Sequence, residues 1–290
     1  MSESLAVSLT RADQSFYAEN GYLLLKGAIS EKWLQRLRAG VEEVVAANRH
    51  LTASTHRVNL HKTHSPEAPE FEWIWNPDSD SNAIWEFVAK SELVDVVAGL
   101  IGDNVRFSHT SLLFKRPGVC SYDWHQDIPY MPHTNSSLVV VGCHLQDCSQ
   151  LDARMCVIPG SHKGPMFAHS DESGRFTGKL SEHDLRTIDT SKMVELTGPA
   201  GTIEFLHGKT LHLDDFDSRR NGGARINITY TAADAVPYAG FGHATHRYGT
   251  IVKGRPARFA RHDSEGCSIP RDFAEIDRRF SLLGTEIGVV

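Results

Sequence analysis

The sequence predicts a mainly β fold with flanking α-helices, an antiparallel sandwich or jelly roll behind a helical N-terminal layer. Two observations carry this. Helical periodicity dominates up to Gly102, after which the chain becomes a series of short β-like runs separated by Gly, Pro, Asn and Asp. Those runs have no helices interleaved, which argues against a parallel α/β sheet. At 290 residues, 40% hydrophobic and 23% charged, the chain falls among ordinary globular proteins. Without an internal repeat or low-complexity linker, it reads as one domain over 1–290: a helical layer to about 102, a β core to about 232 and a C-terminal extension.

The elements follow in order. A short helix around Phe16 and Tyr17 leads through the turn Asn20-Gly21 to a buried strand, Tyr22 to Leu25. Ser30 caps a second helix, Glu31 to Asn48, where Trp33, Leu34, Leu37, Val41, Val44 and Val45 recur at helical spacing. The stretch His56 to Asp80, with Phe71, Trp73 and Trp75, has no clear period and reads as a loop lining a pocket. A third amphipathic helix, Asn82 to Leu100, ends at Gly102 as a glycine C-cap. Strands are expected at Val105 to Lys115, around Trp124, and at Leu138 to Asp147, Met155 to Ile158, Met193 to Leu196, Thr202 to Leu206 and Arg225 to Thr231. Gly160 to Lys192 reads as a polar insertion with one short helix at Glu182 to Arg186, and Asp272 to Leu283 as a final helix.

Charge and composition narrow the function. Lys plus Arg is 30 and Asp plus Glu is 36, a net charge of −6 without any run of like charge, so a nucleic-acid footprint is not expected. No apolar stretch approaches the ~18 to 20 residues that span a bilayer, and the N-terminus lacks the pattern of a secretory leader, which predicts a cytoplasmic protein with no membrane partner. Five cysteines without a CxxC pair suggest neither a disulfide framework nor a cysteine zinc site. Sixteen histidines direct attention to metal ligation.

The sharpest local feature is Trp124-His125-Gln126-Asp127, because His and Asp two apart project to one side of an extended chain. Downstream, Phe205 to His212 follows a predicted strand, and a third ligand from this hairpin completes two histidines and one carboxylate. That set is the facial triad of mononuclear non-haem Fe(II) oxygenases, with three coordination positions left open. On the run from Arg225, alternation puts Arg225, Asn227 and Thr229 on one face, expected to point into the barrel.

The blocks Phe114-Lys115-Arg116-Pro117-Gly118, Trp124 to Asp127, Ile158 to Gly164, Gly201 to His207, and Leu211-His212 with Arg225 together resemble the phytanoyl-CoA dioxygenase family. So do Asn20 to Gly27 and Asn76-Pro77-Asp78 to Gly102. The resemblance runs from about Asp13 to Tyr230. It implies a jelly-roll, cupin-like double-stranded β-helix and an Fe(II)- and 2-oxoglutarate-dependent dioxygenase that consumes dioxygen. It further implies His125 and Asp127 as metal ligands, His212 as the third ligand with His207 as its rival, and Arg225 as the partner of the distal carboxylate of 2-oxoglutarate, a guanidinium suited to two parallel hydrogen bonds. Arg219 and Arg220 are its rivals. His109 and Ser111, sharing a strand face with Leu113, are candidates to line the co-substrate site. Two departures stand out: Gln150 to Arg154 replaces the usual Asn-Gly loop, and Leu213-Asp214 follows His212 where the family has Gly-Ser, which makes the metal hairpin more acidic.

Retention of Asp127 favours hydroxylation, desaturation or ring formation over halogenation, since related halogenases have a small residue there. The lack of a basic phosphate cradle argues against a CoA ester. Aromatic and histidine-rich segments expected at the pocket mouth, Phe71 to Trp75, Tyr130 to His133 and Tyr238 to Tyr248, suit a small or medium apolar molecule with a few polar groups, such as a secondary metabolite. Trp73, Trp75 and Trp85 also fit as core residues, and the Gly160-Ser161-His162 turn as a structural one. The alternatives are an acyl-CoA or amino-acid hydroxylase of the same family, a zinc hydrolase using the same three ligands, and a non-catalytic cupin-like binding protein.

Overall fold

A computed structural model describes residues 5, 8–115, 122–148, 153–216, 223–238 and 242–264. Helix α1 (Arg11–Asn20) begins at Thr10, whose hydroxyl accepts from the Asp13 N–H, and ends at Gly21 with φ of 76°, a left-handed turn that glycine adopts without steric cost. Strand β1 (Tyr22–Leu25) follows, then α2 (Glu31–Asn48), which Ser30 caps by accepting from Trp33 N–H. Strands β2 (Val58–Leu60) and β3 (Phe71–Trp75) precede α3 (Asn82–Lys90) and α4 (Leu93–Ile101). The barrel strands are β4 (Val105–Lys115), β5 (Tyr122–His125), β6 (Leu138–His144) and β7 (Ala153–Val157), then, past the short helix α5 (Glu182–Leu185), β8 (Val194–Leu196), β9 (Ile203–His207), β10 (His212–Phe216), β11 (Gly223–Ala232) and β12 (Ile251–Lys253).

Among the described residues these strands form two antiparallel sheets. The larger runs β1-β9-β6-β11-β4-β3-β2, with β12 on β4, and the smaller runs β5-β10-β7-β8. Both faces of the larger sheet are occupied, and strand alternation sorts the side chains between them. Ile226, Ile228 and Tyr230 of β11, Val139, Val141 and Cys143 of β6, and Ile203 and Phe205 of β9 pack in the main core with Trp33, Leu34, Leu37, Val44 and Phe87 from the helices. The intervening residues Arg225, Asn227 and Thr229, Val140 and Gly142, and Glu204 and Leu206 line a cavity between the sheets. The fold is the double-stranded β-helix, and no helix among the described residues is long and apolar enough to cross a membrane.

The structure departs from the sequence reading in three places. The expected helix Asn82 to Leu100 is two, because Ser91 is extended (φ −83°, ψ 168°) and its hydroxyl donates to Phe87 O at 2.5 Å and accepts from Leu93 N–H at 3.3 Å. That local bonding replaces a turn of helix. The aperiodic stretch His56 to Asp80 contains β2 and β3: Trp73 and Trp75 alternate toward the cavity, while Phe71 is buried in the main core instead of at the pocket mouth. The metal hairpin continues into β10, a strand whose acidic text, His-Leu-Asp-Asp-Phe, concealed it. The expected helix Asp272 to Leu283 lies outside the described residues.

Candidate active site

Pairing of β10 with β5 sets His212 opposite His125, their rings 4.1 Å apart between centroids. Asp127 follows β5 at the start of a short 3-10 turn, and its backbone N–H donates to Gly208 O at 2.9 Å, which fixes it to the β9–β10 loop. Ligand-capable atoms of His125, Asp127 and His212 all lie within 4.8 Å of one another. His125 Nδ1 sits 2.7 Å from Asp123 O, and His212 Nδ1 2.9 Å from Thr210 O. A carbonyl only accepts, so each Nδ1 carries the proton and each Nε2 is the basic nitrogen.

The electrostatics fit a metal. Burial lowers the pKa of His125 to about 4, helped by neighbouring His212, and burial likewise lowers that of His212, so both rings are neutral near pH 7. Burial raises Asp127 to about 6 against the pull of His125 and Arg225. Its Oδ2 is buried without a hydrogen-bond partner, an arrangement that is costly until a cation satisfies the oxygen. Two neutral imidazoles and one carboxylate with an unsatisfied oxygen form a donor set for a divalent first-row ion.

Gln126, between two of these residues, faces the other way and is fully buried. Its amide donates to Lys209 O at 2.9 Å and Pro165 O at 3.1 Å and accepts from Phe167 N–H at 2.9 Å, while its own N–H donates to His169 Nε2 at 2.7 Å. Ser161 braces the other strand: its hydroxyl accepts from Leu211 N–H at 2.9 Å and donates to Ile158 O at 2.6 Å. The Gly160-Ser161-His162 turn is thus structural, as expected.

Across the cavity stands a line of four buried ionisable groups. Arg225, 4% exposed, spans from the larger sheet to Asp214 on the smaller one: Nη1 lies 3.1 Å from Asp214 Oδ1, and Nη2 bonds Oδ2. Nη1 also lies 3.1 Å from Glu204 Oε1, and Glu204 Oε2 lies 3.1 Å from His144 Nε2. Burial disfavours charge on both His144 and Glu204, but their attraction wins: His144 is raised to about 9, and Arg225 and His144 hold the Glu204 carboxyl below its ordinary range. Gly142 makes room for this network, since Glu204 Cγ would lie 2.7 Å from a Cβ placed there.

Neutral groups complete the wall. His109, lowered to about 3 by burial, has Nδ1 3.0 Å from Ser108 Oγ and Nε2 3.3 Å from Thr229 Oγ1, and Asn227 Nδ2 donates to Ser111 Oγ at 3.4 Å. Trp73, Trp75, Tyr130 and Met131 supply the apolar side. The Tyr130 hydroxyl donates to Gly178 O, and its ring meets His125 edge-on with centroids 5.9 Å apart.

The structure therefore brings His125, Asp127, His212, His109, Ser111 and Arg225 to one cavity. His207 stands apart, its ring 5.1 Å from that of His162 and 6.4 Å from that of Tyr17. Arg219 and Arg220 lie outside the described residues. Glu204, His144 and His169 were not singled out from sequence, and Asp214 was noted there only as an acidic departure after His212. Glu204 left one legible trace, a carboxylate between Ile203 and Phe205 in a buried strand.

Two imidazoles and a carboxylate on one side of a cavity, with a buried guanidinium across it on a double-stranded β-helix, define the class of mononuclear non-haem iron oxygenases. Residues 17–213 match the phytanoyl-CoA dioxygenase (PhyH) family, and the chain belongs to it. It is 27% identical to a probable alpha-ketoglutarate-dependent hypophosphite dioxygenase of Stutzerimonas stutzeri, over 86% of this chain and 87% of the relative. Its fold is shared with SnoK, a non-heme alpha ketoglutarate dependent carbocyclase from nogalamycin biosynthesis (TM-score 0.62, 20% identity, 88% of this chain and 98% of SnoK). It is shared too with EctD from S. alaskensis with bound Fe (TM-score 0.65, 17% identity, 91% and 93%). The chain is an iron- and 2-oxoglutarate-dependent dioxygenase, and relatives of this kind act on small molecules.

Proposed function

We propose that this dioxygenase, working as a single cytoplasmic domain, oxidises an unactivated C–H bond, by hydroxylation in the first instance, on a compact molecule of secondary-metabolite type. His125, Asp127 and His212 would hold the iron, and Arg225, with His109 and Ser111 beside it, the 2-oxoglutarate. The observation that carries the reading is the convergence of these six residues on one cavity, among them two neutral imidazoles and a buried carboxylate oxygen without a hydrogen-bond partner. Iron and 2-oxoglutarate, when bound, supply with dioxygen the oxidising power for C–H cleavage. The chain supplies position and dryness. Carbonyls of Asp123 and Thr210 hold the rings, Gln126 locks the strand between two ligands, and Trp73, Trp75 and Tyr130 exclude water.

The cavity measures about 80 Å³. Its apolar side, Trp73, Trp75, Tyr130 and Met131, suits a compact and partly apolar molecule. The absence of a basic phosphate cradle from the sequence supports the same preference.

Anaerobic titration with Fe(II) and then 2-oxoglutarate tests the assignment through the visible charge-transfer band of the chelate. Wild type and His207→Ala are expected to develop the band, while His212→Ala and Asp127→Ala do not. Equal bands in all four would refute the ligand set. A substrate screen in which only acyl-CoA esters or free amino acids drive succinate formation would refute the substrate class.

A further inference from the structure

The guanidinium that would receive the distal carboxylate of 2-oxoglutarate already holds carboxylates of the chain itself. Asp214 takes Nη1 and Nη2 of Arg225 in the two-pronged geometry that a bound dicarboxylate would use, and Glu204 shares Nη1. All three groups are buried, Arg225 and Asp214 at 4% exposure and Glu204 at 1%. Arg225 lies against both Asp214 and Glu204, and Glu204 against His144. The far end of the cavity therefore offers a dianion a guanidinium whose fork is already filled by carboxylates. Asp214 occupies the second residue after His212, and its strand pairing (Asp214↔Met155) places it on the sheet facing Arg225.

We propose that Asp214 is a built-in competitor for the co-substrate anchor and so sets co-substrate specificity. For the distal carboxylate to engage Arg225, one carboxylate must replace another in a buried site, and the displaced Asp214 gives up its two-pronged hold on the guanidinium. The distal carboxylate thus adds little affinity in this chain. The enzyme distinguishes 2-oxoglutarate only weakly from 2-oxo acids that chelate the metal equally well and lack a second carboxylate. This rests on Arg225 as the anchor.

The test is anaerobic calorimetry on the full-length protein loaded with Zn(II), using 2-oxoglutarate and 2-oxobutyrate as probes, with melting temperatures recorded to certify folding. In wild type the two dissociation constants are expected to differ by less than about tenfold. Asp214→Asn and Asp214→Ser should each tighten 2-oxoglutarate at least tenfold and leave 2-oxobutyrate unchanged. Arg225→Gln addresses the anchor separately: added to Asp214→Asn, it should abolish the gain in 2-oxoglutarate affinity. If Asp214→Asn tightens 2-oxoglutarate and the added Arg225→Gln leaves that gain intact, the anchor assignment fails. If folded Asp214 variants bind 2-oxoglutarate no tighter, the competitor role is overturned, and the anchor with it when Arg225→Gln alone also leaves the wild-type preference for 2-oxoglutarate unchanged. Wild-type protein binding 2-oxoglutarate a thousandfold tighter than 2-oxobutyrate overturns the competitor role without any variant.

Discussion

Gly142→Ala places one methyl group against the charged line. The backbone at Gly142 is not in the left-handed region, so alanine suits the strand and by itself would stabilise by about 0.4–1 kcal/mol through the unfolded chain. Its Cβ, however, would lie 2.7 Å from Glu204 Cγ, 2.8 Å from Cδ and closer still to Oε1, where ordinary contact begins at 3.4 Å. The carboxylate must retreat by roughly 1 Å, a displacement that overpacked cores resist. Its two bonds, each 3.1 Å long, to Arg225 and His144, do not both survive that move. Losing one or two buried charge-assisted bonds at about 1.5–3 kcal/mol each, less the backbone gain, gives a net loss of about 0.5–5.5 kcal/mol, centred near 3. For the central value the melting temperature should fall by about 6–12 °C, at roughly 2–4 °C per kcal/mol for a chain of this size class. Scanning calorimetry of wild type, Gly142→Ala, Glu204→Asp and the double variant checks it, since the shorter side chain retracts from the new methyl. The double variant should be more stable than the two single losses predict by at least about 1 kcal/mol. Strict additivity, or an unchanged melting temperature in Gly142→Ala, would refute the steric coupling.

Two further outcomes follow from the same geometry. Gln126→Ala removes three buried amide hydrogen bonds and should cost about 2–4 kcal/mol, with a weaker hold on Fe(II) or Zn(II) in chelator competition; normal metal affinity would show that the ligands need no such clamp. His144, raised from its ordinary 6.5 to about 9, contributes stability that is fully present below pH 6.5 and is lost as pH rises through 9. Unfolding midpoints in denaturant should therefore decline between pH 6.5 and 9 in wild type and decline less in His144→Gln, and parallel curves would sink the assignment.

Patterns of period two were legible in the sequence because they depend on neighbours along one chain. Alternation on β11 places Arg225, Asn227 and Thr229 on the cavity face, and the His125-x-Asp127 spacing places two side chains together. The capped α2 was legible for the same reason, its Ser30 lying beside the N–H it serves. Strands β2 and β3 were not, because a strand whose two faces meet a core and a cavity shows no polar alternation: Phe71-Glu72-Trp73-Ile74-Trp75 has one polar residue in five. The break at Ser91 was hidden by unbroken apolar periodicity on either side. The line from His144 through Glu204 and Arg225 to Asp214 joins residues 60, 21 and 11 apart on four strands, and only the sheet order makes them neighbours.

The proposed metal ligands and the proposed anion anchor belong to different sheets. His125 and His212 sit on the smaller sheet and Arg225 on the larger, with the Arg225–Asp214 pair crossing between them. Neither sheet alone carries a complete site. A chain whose sheets have not closed on each other would lack one wall of the cavity, so metal site and guanidinium share a single enclosed space only in the finished barrel.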